Sequence, residues 1–180
     1  MKNRLWTFTL VVLMLGYLIP AHAQRLAVKT NALLDGLLTP NIGFEMVTGQ
    51  KTSLGVNLLS FHKCLRLDID AVGIQPEFRY WYSSVPMNRG YVGVIGLAGF
   101  YKGTVSHDYY DGYGGGLGVS FGYVFNLTRR LNLELSTGFG ALYYHQKKSE
   151  GTYIPEGTEA LKAYALIPMQ MGVSISYVLK

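Results

Sequence analysis

Cysteine is nearly missing from this chain: Cys64 is the only one in 180 residues. One thiol cannot build an intramolecular disulfide framework, so Cys64 reads as an unpaired loop residue and stability must come from elsewhere. Charge is scarce as well, at 15% against about 25% for ordinary soluble domains. Basic residues never cluster beyond the pairs Arg129-Arg130 and Lys147-Lys148, which argues against a nucleic-acid partner. Long hydrophobic runs are absent after residue 24. The longest, Tyr91 to Tyr101, carries three glycines and is far short of the ~20 apolar residues of a membrane helix.

What is present begins with a leader. Lys2 and Arg4 form a short basic region, Leu5 to Ile19 is almost unbroken apolar sequence, and Pro20 is followed by Ala21-His22-Ala23. This pattern predicts a cleaved signal peptide over residues 1–23 and a mature chain from Gln24, hence an exported protein. With Gln24 and not a cysteine directly after the cleavage site, a lipoprotein anchor is not indicated. Removing Lys2 and Arg4 from the 16 basic residues leaves 14 against 11 acidic, a net charge of +3. The remaining 157 residues suffice for one domain, residues 24–180.

Hydrophobic residues still make up 49% of the chain, with 22 glycines and 14 tyrosines. A greasy exported chain without a spanning helix can spread its apolar residues over alternating strands. From Tyr113 to Leu127 the odd positions are Tyr113, Leu117, Val119, Phe121, Tyr123, Phe125 and Leu127, with Gly115 among them; the even positions are mostly glycine, with Ser120 and Asn126. A period of two over 15 residues is a strand and excludes a helix. It also disposes of the formal G-x-S-x-G match Gly118-Val119-Ser120-Phe121-Gly122, since a nucleophile elbow needs a sharp turn into a helix. Leu131 to Tyr143 repeats the pattern. Near the end Ile167, Met169, Met171, Val173, Ile175, Tyr177 and Leu179 oppose Gln170, Gly172, Ser174 and Ser176.

The same reading predicts eight strands near 25–35, 42–49, 53–61, 71–82, 91–103, 113–127, 131–146 and 161–179. In the fifth, Val92 and Val94 compete with Ile95 and Leu97, and Lys102 with the end tyrosines Tyr91 and Tyr101 sets the parity: Lys102 inward, tyrosines outward. Tight turns at residues 48–52 and 128–130, and a moderately short one at 83–90, alternate with longer links at 34–41, 62–70, 105–112 and 147–161. That rhythm predicts an all-β, eight-stranded antiparallel up-and-down transmembrane barrel, integral to the outer membrane.

Charge decides which face is which. The apolar face of the predicted strands carries none, whereas the other carries Lys29, Glu45, Glu77, Arg79, Lys102 and Glu134, three of each sign. A lipid-facing cation at the bilayer midplane costs ~2–4 kcal/mol, so the charge-free face is the lipid face. Tyr80, Tyr82, Tyr91, Phe125 and Tyr177 then mark one interface, and Tyr101, Tyr113 and Tyr143 the other. Pro76 and Pro168 lie within strands of a barrel that offers no edge, which predicts a bulge or a frayed stretch at each.

The stretches "VKTNALLDGLLTPNIGFE" (28–45), "IQPEFRYWY" (74–82) and "LNLELSTGFGALYY" (131–144) resemble a family of small outer-membrane β-barrels from the Bacteroidota, catalogued as a domain of unknown function. Lys29, Thr30, Asn31, Leu38, Thr39, Pro40 and Asn41 are the most specific part of the match. Gln170, Gly172, Ile175 and Tyr177 also look like the signal read by the outer-membrane insertion machinery, although the chain ends in Lys180 and not in an aromatic residue. The resemblance implies a barrel among outer-membrane lipids and lipopolysaccharide, with no established activity, and gives a hint of surface or fimbrial protein partners.

An eight-stranded barrel is just wide enough for its side chains to fill it. Lys29, Glu45, Gln75, Glu77, Arg79, Asn132 and Glu134 are therefore expected to form a closed polar network, in preference to a narrow pore. No cofactor or metal is implied, since His107 with Asp108 and Asp111 matches no ligand spacing. Ser106-His107-Asp108 gathers the residue types of a catalytic triad, but sequence neighbours rarely converge as one. The expectation is a non-enzymatic protein acting through its outer loops, with His107, Asp108, Tyr109, Tyr110 and Tyr153 as candidate contacts; the alternative is a lipid A-modifying enzyme.

Overall fold

A computed structural model describes residues 25–37, 39–62, 68–105, 108–150 and 160–179. The leader, Cys64, Ser106, His107 and Tyr153 lie outside these residues. Eight antiparallel strands close into one barrel in sequence order: β1 (Leu26–Asn31), β2 (Asn41–Val47), β3 (Thr52–His62), β4 (Asp68–Trp81), β5 (Arg89–Val105), β6 (Asp108–Asn126), β7 (Leu131–Glu150) and β8 (Ala160–Val178). Among the described residues no helix is long and apolar enough to cross a membrane.

One end of the barrel is level, where short turns join β2 to β3, β4 to β5 and β6 to β7. The other end is not. The strands lengthen from six residues in β1 and seven in β2 to 20 in β7 and 19 in β8, so the wall rises steadily around the ring. The first strand stops at Asn31, short of the expected residue 35, because Ala32–Gly36 coil into a helical turn, α1. Asn31 caps it, its side chain accepting from the Leu33 N–H, an arrangement that satisfies a helix-terminal donor no strand would leave free. The expected loop at 105–112 is likewise mostly strand, since β5 runs to Val105 and β6 begins at Asp108.

Period-two alternation fixes which side chains point outward. In β6, Tyr113, Leu117, Val119, Phe121, Tyr123 and Phe125 are exposed while Ser120 and Val124 are buried. Two parities differ from the sequence reading. In β5, Val94 and Phe100 face out, and Tyr91 and Ile95 face in at 1% and 0% exposure. Tyr91 therefore belongs to the core, Tyr101 turns inward to donate to Gln146 Oε1 at 2.9 Å, and Lys102 lies outside, 64% exposed and 3.7 Å from Asp111. In β8 the pairing with β7 shifts between Gly138 and Phe139. Ser174 and Ser176 face in as expected, but above the shift Leu166 (88% exposed) points out and Met169 is buried. Ile167 and Met169 do not belong to the outer face.

Both prolines sit at interruptions. Pro168 lies at the bulge, opposite Phe139. Pro76 pairs with Val56 of β3, but neither it nor Gln75 bridges to β5, whose register resumes unchanged at Glu77 and Ile95. A missing N–H thus costs the sheet a local break, and no strand is displaced.

The glycine-rich run of β6 is explained by its neighbours. A Cβ at Gly116 would fall 2.8 Å from Met169 Cε, and one at Gly118 would collide with the Phe139 carbonyl and lie 2.7 Å from the Gly140 Cα. One at Gly122 would meet the Tyr91 ring. These positions face a lumen already filled by side chains from β5 and β8. Nothing turns at Ser120.

Candidate functional site

The lumen is filled in layers. At the level end, Ala27, Trp81, Met87, Tyr91 and Val124 pack as an apolar plug, with Val47 and Val178 against it. Met87 comes from the β4–β5 turn with a φ of 60°. A side chain in that left-handed region costs of order 1 kcal/mol, which holding the thioether in the plug offsets.

Above the plug sits Arg79, with 0% exposure. Its Nη1 donates to Glu45 Oε2 at 2.9 Å and Glu134 Oε2 at 3.0 Å. Its Nη2 donates to Glu77 Oε2 at 2.7 Å and Glu134 Oε1 at 2.8 Å. Strands β2, β4 and β7 thereby converge on one guanidinium, whose planar fork suits the bidentate contact with Glu134. The remaining oxygens of Glu45 and Glu77 accept from Ser53 Oγ and Ser120 Oγ, each at 2.6 Å, and Glu134 Oε1 accepts from Tyr91 Oη at 2.8 Å as well as from Arg79. Lys29 Nζ lies 3.7 Å from Glu45, and Trp81 Nε1 donates to Ser53 Oγ at 2.8 Å. The Tyr91 ring receives the guanidinium on its face, 4.1 Å from the ring centre. With Lys102 outside, the interior holds Lys29 and Arg79 against Glu45, Glu77 and Glu134, a net charge of −1 rather than the balanced set the sequence suggested.

Ser120 is thus a buried hydrogen-bond donor to a carboxylate. Gln75 reaches across the lumen from β4 to β8, donating to the Met169 carbonyl at 2.7 Å, an acceptor in a stretch where the bulge disrupts pairing. Asn132 is buried near the level end and accepts from Asn126 Nδ2 at 2.7 Å. Lys29, Glu45, Gln75, Glu77, Arg79, Asn132 and Glu134 are all under 6% exposed. The sequence reading missed Trp81, Tyr91 and Ser53, and it placed Ser120 inward without its bond to Glu77. Trp81 continues the alternation Gln75, Glu77, Arg79 and was legible from it; Tyr91 was masked by the wrong parity of β5.

The expected outer contacts divide differently. Asp108, Tyr109 and Tyr110 form the top of β6, where Asp108 meets Lys148 Nζ at 2.8 Å and that ammonium lies 5.9 Å from the Tyr110 ring. With Asp111 beside Lys102, both carboxylates near His107 have cationic partners. His145 stacks on Tyr113 with ring centres 5.0 Å apart.

The Lys-Thr-Asn…Leu-Thr-Pro-Asn segment organises the low side of the wall. Asn41 Oδ1 accepts from the Asn31 N–H at 2.7 Å, and its Nδ2 donates to the carbonyls of Asn31 and Thr39 at 3.2 Å and to Asp35 Oδ1 at 2.9 Å. Thr30 Oγ1 donates to Asp35 Oδ2 at 2.6 Å, and Asn31 Nδ2 reaches the Met171 carbonyl of β8 at 3.3 Å. Gly172 lies flat beneath that amide, which its Cβ would strike. The side chains of Asn31 and Asn41 thus carry on the ladder where β1 and β2 end. Asn41→Ala is expected to destabilise the protein by about 1–3 kcal/mol, the cost of leaving such groups unsatisfied, read as a lower urea midpoint with an unchanged slope.

No curated protein and no solved structure shows significant similarity to the chain. Residues 8–179 match the family described as "Protein of unknown function (DUF3575)", and on that match the chain belongs to this family.

Proposed function

We propose that this protein is a small integral barrel of the outer membrane, exported by its leader, with a closed polar layer across its lumen and a structural or surface-interaction role exercised from its tall rim, without catalysis. The observation that carries the reading is the outer surface. Tyr80, Tyr82, Tyr123, Phe125 and Tyr177 ring the level end, and Phe100, Tyr113, Tyr143 and Tyr164 ring the wall above, all exposed. Between them lie exposed residues such as Leu54, Ile74, Val94, Leu117 and Phe139. Tyr113 and Tyr123 are ten residues apart on β6, about 33 Å along the strand and about 25 Å along the axis at a typical barrel tilt. An apolar band of about that height bounded by aromatic girdles matches the hydrocarbon core. A water-facing surface of this composition would be an aggregation hazard.

The tall side of the wall, β5 to β7, then projects beyond the membrane and presents Asp108, Tyr109, Tyr110 and Lys148 to partners. Two measurements test this reading. Folded protein in detergent is expected to migrate faster on SDS gels unboiled than boiled and to sediment with outer membranes; recovery in the soluble periplasmic fraction would overturn it. In a Cys64→Ser background, intact cells are expected to label Tyr109→Cys with an impermeant maleimide and to leave Lys51→Cys unlabelled.

A further inference from the structure

Among the described residues, the strand wall is closed at the seam but incomplete on one side above it. A strand needs about 9–11 residues to cross a bilayer, and β1 and β2 have six and seven. β8 pairs with β1 only from Ser174 to Val178, and β3 with β2 only up to Leu59. Above Ser174, the edge of β8 that faces β1 has no strand partner among the described residues. Among the described residues no strand stands between β8 and β3 above the seam, an opening of roughly 14 Å at ordinary strand spacing, with α1 packed against β8 at its foot. Pro168 lies in this part of β8. A proline disfavoured in a closed sheet is at home on an edge, so its position and the gap explain each other.

β3, one edge of this opening, also borders a cavity of a particular kind. Above the Arg79 cluster the lumen changes from polar to apolar: Leu59, Phe61, Leu97, Tyr101, Gly114 and Leu142, together with the β4–β5 wall that includes the exposed Val72 and Phe100, line a space of about 140 Å³. Apolar cavities near 150 Å³ stay dry and take up hydrocarbon guests. Met169 of β8 reaches over Gly116 and Gly140 on β6 and β7. The floor, Gln75 bonded to Met169, separates this space from the charged layer beneath.

We propose that the upper lumen binds the acyl chain of a membrane lipid, which enters sideways through the gap between β8 and β3. The proposal rests on the membrane reading above. The apolar lining, the absence of a charged group to hold a carboxylate or phosphate among the cavity residues, and the continuity of the gap with the lipid-facing surface all select the hydrocarbon end of a bilayer lipid. The headgroup stays at the interface.

The test uses the full mature chain reconstituted in phosphatidylethanolamine–phosphatidylglycerol vesicles containing a phospholipid with a diazirine near the end of one acyl chain. After irradiation, cross-links are mapped by mass spectrometry. Label is expected on inward-facing Leu59, Leu97 and Leu142 as well as on outward-facing Val94, Leu117 and Phe139. Leu97→Trp, which fills the cavity, is expected to remove most of the inner label and to leave the outer label and the heat-dependent gel shift intact. Label confined to the outer set overturns the lateral pocket while the membrane reading stands. Label on neither face overturns both. A diazirine fatty acid added from water that labels the inner set, when the phospholipid does not, assigns the pocket to a free acid and overturns entry from the bilayer.

Discussion

Arg79→Met is expected to remove about 3–5 kcal/mol of stability, the cost of leaving buried charges without their partner. Three carboxylates, from Glu45, Glu77 and Glu134, meet on this one guanidinium, and Lys29 touches only Glu45. Without Arg79 the cluster holds one cation against three anions in a space closed to water. Most small domains have 5–15 kcal/mol in hand, so the variant should assemble poorly and lose the folded band of unboiled gels at low urea. Adding Glu134→Gln should restore part of the loss, because it removes the anion that met Arg79 through both oxygens. A double-mutant cycle on the urea midpoint is expected to show coupling of about 0.5–3 kcal/mol. Additive losses would mean that the two side chains act separately. Arg79→Lys is expected to rescue little, since one ammonium cannot reproduce four donated hydrogen bonds to three carboxylates.

Trp81→Ala is the second large effect, again about 3–5 kcal/mol, from loss of a fully buried ring and the void it leaves. The indole touches the Tyr91 ring, with centres 5.0 Å apart, and its N–H is the donor that orients Ser53 toward Glu45. The substitution thus removes packing and loosens the charged layer together. Trp81→Phe should recover the packing share and leave Ser53 Oγ without its donor. Planar-bilayer recordings divide the roles of the two layers. If the ion cluster seals the lumen, Trp81→Ala conducts no more than the parent; steady channels would assign the seal to the indole.

Most of the wall was legible from alternation because most strands contrast a greasy outer face with a small or polar inner one. β6 and β7 show this at Val119, Ser120, Phe121 and at Leu133, Glu134, Leu135. The reading failed where that contrast vanishes. The upper lumen is itself apolar, so Ile95 and Leu97 inside look no different from Val94 outside, and the parity of β5 could not be read from hydrophobicity. Lys102 then misled, because it stands high on the wall beside Asp111, where an outward charge is unpenalised. In β8 the inward serines are correct up to the bulge, beyond which one extra residue inverts every position. Pro168 signals an interruption but not the direction of the shift. The short helix Ala32–Gly36 was hidden in an apolar run that suits either element, and only the hydrogen bonds of Asn31 and Asn41 decide it.

The arrangement of the Arg79 cluster also bears on the order in which the chain can be assembled. Its ligands come from Glu45 near the start of the domain and Glu134 near the end, on strands that share no backbone pairing. The seam that closes the ring joins β1 to β8 through five register pairs, about 150 residues apart in sequence. A chain stopped before residue 160 contains Arg79 and all three carboxylates but lacks the strand that brings β2 and β7 around the same lumen. Glu45 and Glu77 can meet Arg79 within the β2–β4 sheet, whereas Glu134 reaches it only across the closed lumen. The bidentate Arg79–Glu134 contact is the latch, set when the last strand brings β7 around to β4.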